Sequence, residues 1–580
     1  MKIKHFFGLA VIAAMTASCS SNEDLGTAGP GTGTNEAGVG YATFTINLPT
    51  TSGTRGTQND QFDGGTASEY AVNDATLVIF EGGKATSEKG YKFVEAVPLG
   101  NLEPWKNVTP ANKGITTEAT ITAQLTSAKV DETGGKYYAL VILNNETATG
   151  TKITLPSAST DTYESWNVAA NSTKITDYEK GFYMANAPQF TANNVEPTTL
   201  VKIEGIYRTK EEAQSKPATT VHVERGLAKV TVRSNSTSNY FATTGANATG
   251  ANYNSDNVKI TKWALDVTNK TSFPVHVTEG LSTDYTDVWK NELNKSDRFV
   301  SASTSFKRVY WGVDPNYSNT DLNDPTKETE RNTNFTYIKK GNISSNATDV
   351  AYCLENTFDL NNMKQGQTTR VVFKATYTPN GLIGGPTFFK IGNHTELWSK
   401  SNLVAQIKAK AQEVLSETDA DKIAVVLDAA SNDVEKTAGT KILTKANVKH
   451  NGAEVTDDQI NSINVKLGLK DATSTEPIVG IATYVNGESY YIARIKHFGD
   501  DLTPWNAGED TYGTNNEKYL GRYGVLRNNW YDLTVNKISG PGYPDVPEVK
   551  PNTPDDEDTK YISVSVKILD WAKRSQSVDL

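Results

Sequence analysis

The chain has 580 residues, 37% hydrophobic and 21% charged, with a net charge of −10 at pH 7. Its length predicts roughly two to four domains, each large enough to bury a core, and its basic residues are too dispersed for a nucleic-acid surface. Thr, Tyr, Val and Asn recur in short runs, a composition that favours β structure.

Residues 1–19 read as a secretory signal, with Lys2 and Lys4 ahead of an apolar run from Phe6 to Met15 that is too short to span a bilayer. Thr16-Ala17-Ser18-Cys19 is similar to a lipobox, the site where a bacterial lipoprotein is acylated and cut. Cys19 is therefore the predicted lipidation site, the alternative being an ordinary signal peptide with an incidental cysteine. The polar stretch Ser20 to Asp24 resembles the surface-export signal of Bacteroidales lipoproteins. With Cys19 acylated, Cys353 is the one thiol left, and no intrachain disulfide is available.

After a Gly/Thr stretch, Tyr41 to Leu48 alternates at the strand period, with Phe44, Ile46 and Leu48 against Thr43, Thr45 and Asn47. Pro49 closes it. The polar loop that follows holds Arg55 and Gly56, and no other arginine occurs before Arg208. A lone arginine in such a loop is either an accessible target for an arginine-specific protease or a solvated charge; the residues alone leave both open.

Asn73 to Phe80, Phe93 to Leu99, Ala119 to Leu125, Tyr137 to Asn145 and Val201 to Tyr207 read as strands separated by turn chemistry. Their spacing predicts a β-sandwich. The charged stretch Thr209 to Ala218 reads as a domain boundary. A second β series runs from Val221 to Val232 through Val258 to Val267, Phe306 to Val313, Thr369 to Tyr377 and Tyr484 to Ile495 to Trp530 to Ile538. Ser401 to Glu417 reads as a helix with Ser401 as its cap and Leu403, Val404, Ile407, Ala411, Val414 and Leu415 as an apolar stripe. It is expected to pack onto a sheet as a small insertion, as core rather than as a groove.

Residues 540–560 carry prolines at 541, 544, 547, 551 and 554 and the acidic run Asp555 to Asp558. They are expected to form an extended, semi-rigid spacer reaching on the order of 60 Å. The last segment alternates again, with Ile562, Val564, Val566 and Ile568 on one face and Ser563, Ser565 and Lys567 on the other. Leu569 and Trp571 break that parity, so either a bulge sits near Ile568 or the strand ends there. Such a strand is able to complete a neighbour's sheet as readily as its own.

Motifs for chemistry are absent. The six histidines lie far apart, and there is no phosphate-binding loop, nucleophile elbow or cysteine with a matched base. The stretch from Asp314 to Asp324 offers oxygen ligands for a calcium ion, but it departs from the EF-hand register and a solvated polar loop is the simpler reading. No catalytic role, cofactor or resident metal is assigned.

Taken together, the lipoprotein start, the strand followed by Arg55, NDATLVIF at 73–80, VERGLAKVTV at 223–232, YGVLRNNWYDLTV at 523–535 and the Pro/Asp spacer before a terminal SVDL strand resemble the fimbrillins of Bacteroidales, the subunits of type V pili, and in particular the minor-fimbria shaft type. The resemblance covers nearly the whole chain. It implies a mostly β fold of two transthyretin-like β-sandwich domains, with a small helical insertion in the second and a tethered C-terminal donor strand. The expected layout is a signal peptide at 1–19, a propeptide at 20–55 with a removable strand at 41–48, sandwiches at 56–219 and 220–539, a spacer at 540–560 and the donor strand at 561–580. It also implies export as an outer-membrane lipoprotein precursor lipidated at Cys19, and cleavage between Arg55 and Gly56. The removable strand (Phe44, Ile46, Leu48) then gives way to a neighbour's donor strand (Ile562, Val564, Val566, Ile568, Trp571). The implied partners are further copies of the chain, anchor and tip subunits and an arginine-specific protease, in a pilus supporting adhesion and biofilm formation. Cleavage removes Lys2, Lys4 and Arg55 with Glu23, Asp24 and Glu36, so net charge is unchanged. The alternative is a surface-anchored glycan-binding lipoprotein using Trp505, Trp530 and Tyr531 as a sugar platform; a secreted hydrolase, needing a carboxylate pair, ranks third.

Overall fold

The structure, a computed structural model, describes residues 39–48, 66–100, 102, 118–146, 152–179, 181–190, 197–234, 246–247, 250, 252–284, 299, 307–343, 349–473, 477–503, 517–556 and the backbone of 562–570. Cys19, Arg55, Gly56, Trp505 and Trp571 lie outside these residues. The fold is mostly β, with 35% of residues in strands and 20% in helices, arranged as one eight-stranded sheet and several smaller ones. Among the described residues, no helix is long and apolar enough to cross a membrane.

The first sheet is ordered Lys92–Pro98, Ala75–Glu81, Tyr137–Leu143, Met184–Asn186, Thr219–Arg225, Gly40–Asn47, Glu118–Leu125, with Val201–Lys202 also paired to Tyr137–Leu143. Ala75–Glu81 and Tyr137–Leu143 are near-continuous apolar runs and are buried along almost their whole length, as strands covered on both faces are. Glu118–Leu125 alternates buried and exposed positions. The two ends of this strand order meet through Glu95. Its carboxylate accepts from the backbone N–H groups of Thr126, Ser127 and Ala128 at 2.9, 2.9 and 2.7 Å and from the Thr126 hydroxyl at 2.9 Å. An acid with this many donors is stabilised where an unpaired one would be expelled.

A second core lies between two four-stranded sheets. One is ordered Ala351–Leu354, Leu227–Ser234, Asn529–Ile538, Ile562–Asp570; the other Ala246–Asn247, Asn257–Asp266, Arg370–Thr378, Glu488–Arg494. Val230, Val232, Tyr531, Leu533 and Val535 from the first meet Ile260, Trp263, Phe373 and Tyr491 from the second. The expected run Val221 to Val232 is thus two strands in two sheets. Thr219–Arg225 belongs to the first sheet and Leu227–Ser234 to the second, so sheet membership changes at Gly226 rather than at 219/220. A Cβ on Gly226 would lie 2.6 Å from Ile175 Cγ2, which leaves room for glycine alone.

Between Arg370–Thr378 and Glu488–Arg494, which pair with each other, the chain leaves to build a module with its own core. The expected helix is Lys400–Leu415, with Leu403, Ile407 and Ala411 buried. Its cap is Ser399, whose hydroxyl accepts from Asn402 N at 3.2 Å, and not Ser401. The insertion is larger than one helix on a sheet. A second helix, Asp457–Lys466, and strands of only two to four residues surround it, too short for their period to be read. Among the described residues, the runs Phe306 to Val313 and Val201 to Tyr207 likewise hold only the two-residue strands Lys307–Arg308 and Val201–Lys202.

The spacer departs most from expectation. Residues 540–556 are laid along the second sandwich. Tyr543 and Tyr490 exchange backbone hydrogen bonds of 2.8 Å each, and Arg370 Nη2 donates to Pro547 O at 2.6 Å. Asp555 is fully buried and accepts from the Thr368 hydroxyl at 3.0 Å, and Asp556 pairs with Arg522 at 3.0 Å. Proline removes donors but not carbonyls, and the acidic residues meet cations and hydroxyls supplied by distant segments. The chain then returns to its own sheet, where Ile562–Asp570 runs antiparallel to Asn529–Ile538. The irregularity falls in the partner strand, between Val535 and Lys537, and the strand continues through Leu569 without a break.

Replacing Ile46, fully buried in the first core, by alanine should lower stability by about 2–5 kcal/mol, read as a reduced urea midpoint. Thr45→Ala, on the opposite face of the same strand, should cost within about 0.5–1 kcal/mol.

Candidate functional site

The strand Gly40–Asn47 occupies an interior slot. It pairs antiparallel with Glu118–Leu125 from Gly40↔Leu125 to Asn47↔Glu118, and parallel with Thr219–Arg225 from Phe44↔Thr219 to Asn47↔His222. Alternation sends Phe44, Ile46 and Leu48 into the core, each no more than 2% exposed. Ala42 joins them on the same face; its small side chain gave no signal beyond parity. On the other face the Thr43 hydroxyl donates to Ala213 O at 3.0 Å and lies 3.0 Å from the Thr122 hydroxyl, and Thr45 and Thr120 meet at 3.1 Å. At the start of the strand, Tyr41 and Tyr207 exchange backbone hydrogen bonds of 2.8 Å.

The terminal strand is held elsewhere. Ile562, Val564, Val566 and Ile568 pair by backbone with Ile538, Val535, Leu533 and Tyr531 at the edge of the second sandwich. The structure therefore does not bring the two alternating strands together; each sits in a different sheet of the same chain.

Between them lies a buried polar junction. Glu69, in the short helix Ala67–Tyr70, meets Lys229 Nζ at 2.9 Å and accepts from the Tyr352 hydroxyl at 2.5 Å and from Thr66 N at 2.9 Å. Burial pushes the Glu69 carboxyl up, but Tyr352, Lys229 and the Thr66 N–H together hold it below its ordinary value. Lys229 also lies 3.8 Å from the Trp530 ring centroid, and Arg225 Nε donates to Glu69 O at 2.8 Å while its guanidinium covers Tyr70. Beside it His276 Nδ1 and Glu224 Oε1 are 2.8 Å apart, and Arg527 forms a bidentate pair with Glu355. The runs at 223–232 and 523–535 are thus one structure, joined in parallel from Lys229↔Trp530 to Ser234↔Val535. Trp530 and Tyr531 are buried there and present no sugar platform.

The Asp314 to Asp324 loop is not simply solvated. Asp314 is buried and accepts from Asn316 N, Thr357 N and Asn269 Nδ2 at 2.7 Å each. Asp324 caps Thr326, and Asn323 donates to Asn362 Oδ1. Among the described residues no cluster of three His, Cys, Asp or Glu is placed to hold a metal. Burial pushes the Asp314 carboxyl up to about 7, against the pull of its N–H donors.

Residues 482–577 match a family model described as the major fimbrial subunit protein type IV, fimbrillin, C-terminal. This part of the chain is fimbrillin-like. The fimbrillin-like stretch includes the strands Glu488–Arg494, Asn529–Ile538 and Ile562–Asp570 with the docked segment between. No curated protein matches the chain. Among solved structures, a fimbrilin (FimA) from Porphyromonas gingivalis W83 aligns over 92% of this chain and 99% of its own at 12% identity and a TM-score of 0.32. The tip fimbrial protein Mfa3 of the same species, truncated at its C-terminus, covers 92% and 100% at 9% identity and 0.29. A candidate cell adhesion protein from Parabacteroides distasonis ATCC 8503 covers 92% and 99% at 11% and 0.34.

Glu69→Ala should strand the Lys229 ammonium in the junction and cost about 3–5 kcal/mol in chemical denaturation. A second test concerns pH. Folded Asp314 keeps its proton to about 7, whereas the unfolded group loses it near 3.8. The folded state therefore binds more protons in that window, and stability should fall as pH rises through it. Glu88, also raised to about 7 by burial, acts in the same direction. Urea midpoints across the window should decline with pH, and Asp314→Asn should remove part of the slope.

Proposed function

We propose that this chain is a structural, non-catalytic subunit of a surface pilus that polymerises by strand exchange. The precursor is exported as a lipoprotein acylated at Cys19 and held at the outer membrane by that lipid. An arginine-specific protease cuts between Arg55 and Gly56, and the freed segment, carrying Gly40–Asn47, leaves the first sheet. The terminal strand of a second copy fills the slot, and anchor and tip subunits close the two ends of a filament that supports adhesion and biofilm formation.

One observation carries this reading. Gly40–Asn47 is interior to its sheet and apolar on its inward face, yet it stands ahead of Arg55 in sequence. Losing it exposes the apolar lining and two rows of unpaired backbone groups, the condition for β-strand addition. Phe44, Ile46 and Leu48 together contribute several kcal/mol at about 1.5–3 kcal/mol each, so an unfilled slot is short-lived and a filled one hard to dissociate. The match of residues 482–577 to the fimbrillin C-terminal family supports the assignment.

Treating the purified precursor with an arginine-specific protease should release residues 1–55, seen by mass spectrometry, and yield filaments in electron micrographs. Arg55→Ala should block both. Deleting 561–580 should leave a folded protein that is cut but forms no filaments; filaments that persist would place the donor elsewhere.

A further inference from the structure

Resting on the strand-exchange reading, the slot also dictates how an arriving strand must sit. The antiparallel ladder to Glu118–Leu125 runs eight pairs without a break, while the parallel one covers four. A strand that keeps the direction of Gly40–Asn47 keeps the longer ladder in the antiparallel form, the more stable per residue.

Within that direction the chemistry leaves one register. The slot has four inward positions, Ala42, Phe44, Ile46 and Leu48, and the terminal segment has four apolar residues of matching parity, Ile562, Val564, Val566 and Ile568. A slip of one residue turns Ser563, Ser565 and Lys567 inward. A slip of two in one sense puts Asp570 at the place of Leu48, and in the other sense Lys560 at the place of Ala42; either buries an unpaired charge. In the remaining register the bulk given up at Phe44 is regained at Ala42, so the apolar volume stays close to that of the departing strand.

The outward positions agree independently. Ser563 and Ser565 fall at the places of Thr43 and Thr45, restoring hydroxyls opposite Thr122 and Thr120. Lys567 falls at the place of Asn47, opposite exposed Glu118, and so adds a charge pair that the departing strand lacks. At home, among the described residues, the terminal strand has a ladder on one side only, interrupted between Val535 and Lys537; the slot offers an uninterrupted one and a second neighbour. We infer that the slot takes residues 562–568 of a second copy in this register alone, set by Thr120, Thr122 and Glu118.

Disulfide trapping tests it. Thr120 is exposed, so a cysteine there leaves the core intact, and Cys353 is buried. Cysteines directly opposite lie within about 4.5–5.5 Å, and those two positions off about 7–8 Å. Filaments grown from protease-treated Thr120→Cys/Ser565→Cys precursor should cross-link between subunits on oxidation, and Thr120→Cys/Ser563→Cys and Thr120→Cys/Lys567→Cys filaments should not. Cross-linking of either off-register pair in place of the first would overturn the register while leaving strand exchange intact. Filaments with no cross-link in any pair would also overturn the register, whereas filaments that persist after deletion of 561–580 would overturn the exchange reading. Without any cysteine, Glu118→Lys should slow filament growth roughly two- to five-fold through like charges placed opposite each other, and adding Lys567→Glu should restore it. Unchanged growth in Glu118→Lys would remove Glu118 from the set.

Discussion

Backbone pairing along one edge of the first sheet hangs on a single strand. Among the described residues, Glu118–Leu125 joins the sheet order only through Gly40–Asn47, and the first half of Thr219–Arg225 has its ladder there too. Peptide groups withdrawn from water need partners, so these neighbours are satisfied only while something occupies the slot. The apolar face of the strand adds the second half of the constraint, because Phe44 and Ile46 are fully enclosed. A position that demands both a ladder and a side-chain set is demanding about shape and tolerant about chain connectivity. The residues filling it need not be covalently continuous with the rest of the domain.

The junction solves a different problem, that of fastening one sheet system to another. Several ion pairs are sequestered there, and each carries further donors that make the desolvation bearable. Glu69 answers Lys229, Glu355 answers Arg527, and Trp530 lies under the lysine. Removing one partner is far more costly than the pair is worth, which makes the arrangement specific in geometry rather than strong in net energy. Since Glu69 lies C-terminal to Arg55, this fastening stays with the part of the chain downstream of that arginine.

Much of the β architecture was legible because a buried face leaves a period of two in the sequence. Tyr41 to Leu48 and Ala119 to Leu125 show it plainly, and the long apolar runs at Ala75–Glu81 and Tyr137–Leu143 show the related pattern of strands covered on both sides. What escaped reading depended on contacts between distant residues. Nothing local to Glu69, Glu95 or Asp314 announces a buried acid, because the donors that make burial tolerable come from Lys229, from 126–128 and from Thr357. The strands of the insertion were hidden by their brevity. The spacer departs from its sequence pattern for a related reason: proline content fixes backbone shape but not whether the resulting ribbon finds a surface, and Tyr543 and Asp555 find one. The change of sheet at Gly226 was concealed inside an apolar run that reads as one strand.

That glycine has a mechanical consequence. Thr219–Arg225 and Leu227–Ser234 are consecutive around a backbone bend at Gly226, so one length of chain is bonded laterally into both sheets, to Gly40–Asn47 on one side of Gly226 and to Asn529–Ile538 on the other. Load passed along this stretch goes from the hydrogen bonds of one ladder to those of the other through the single residue between them. The segment that links the two sheets is therefore also their tie-rod.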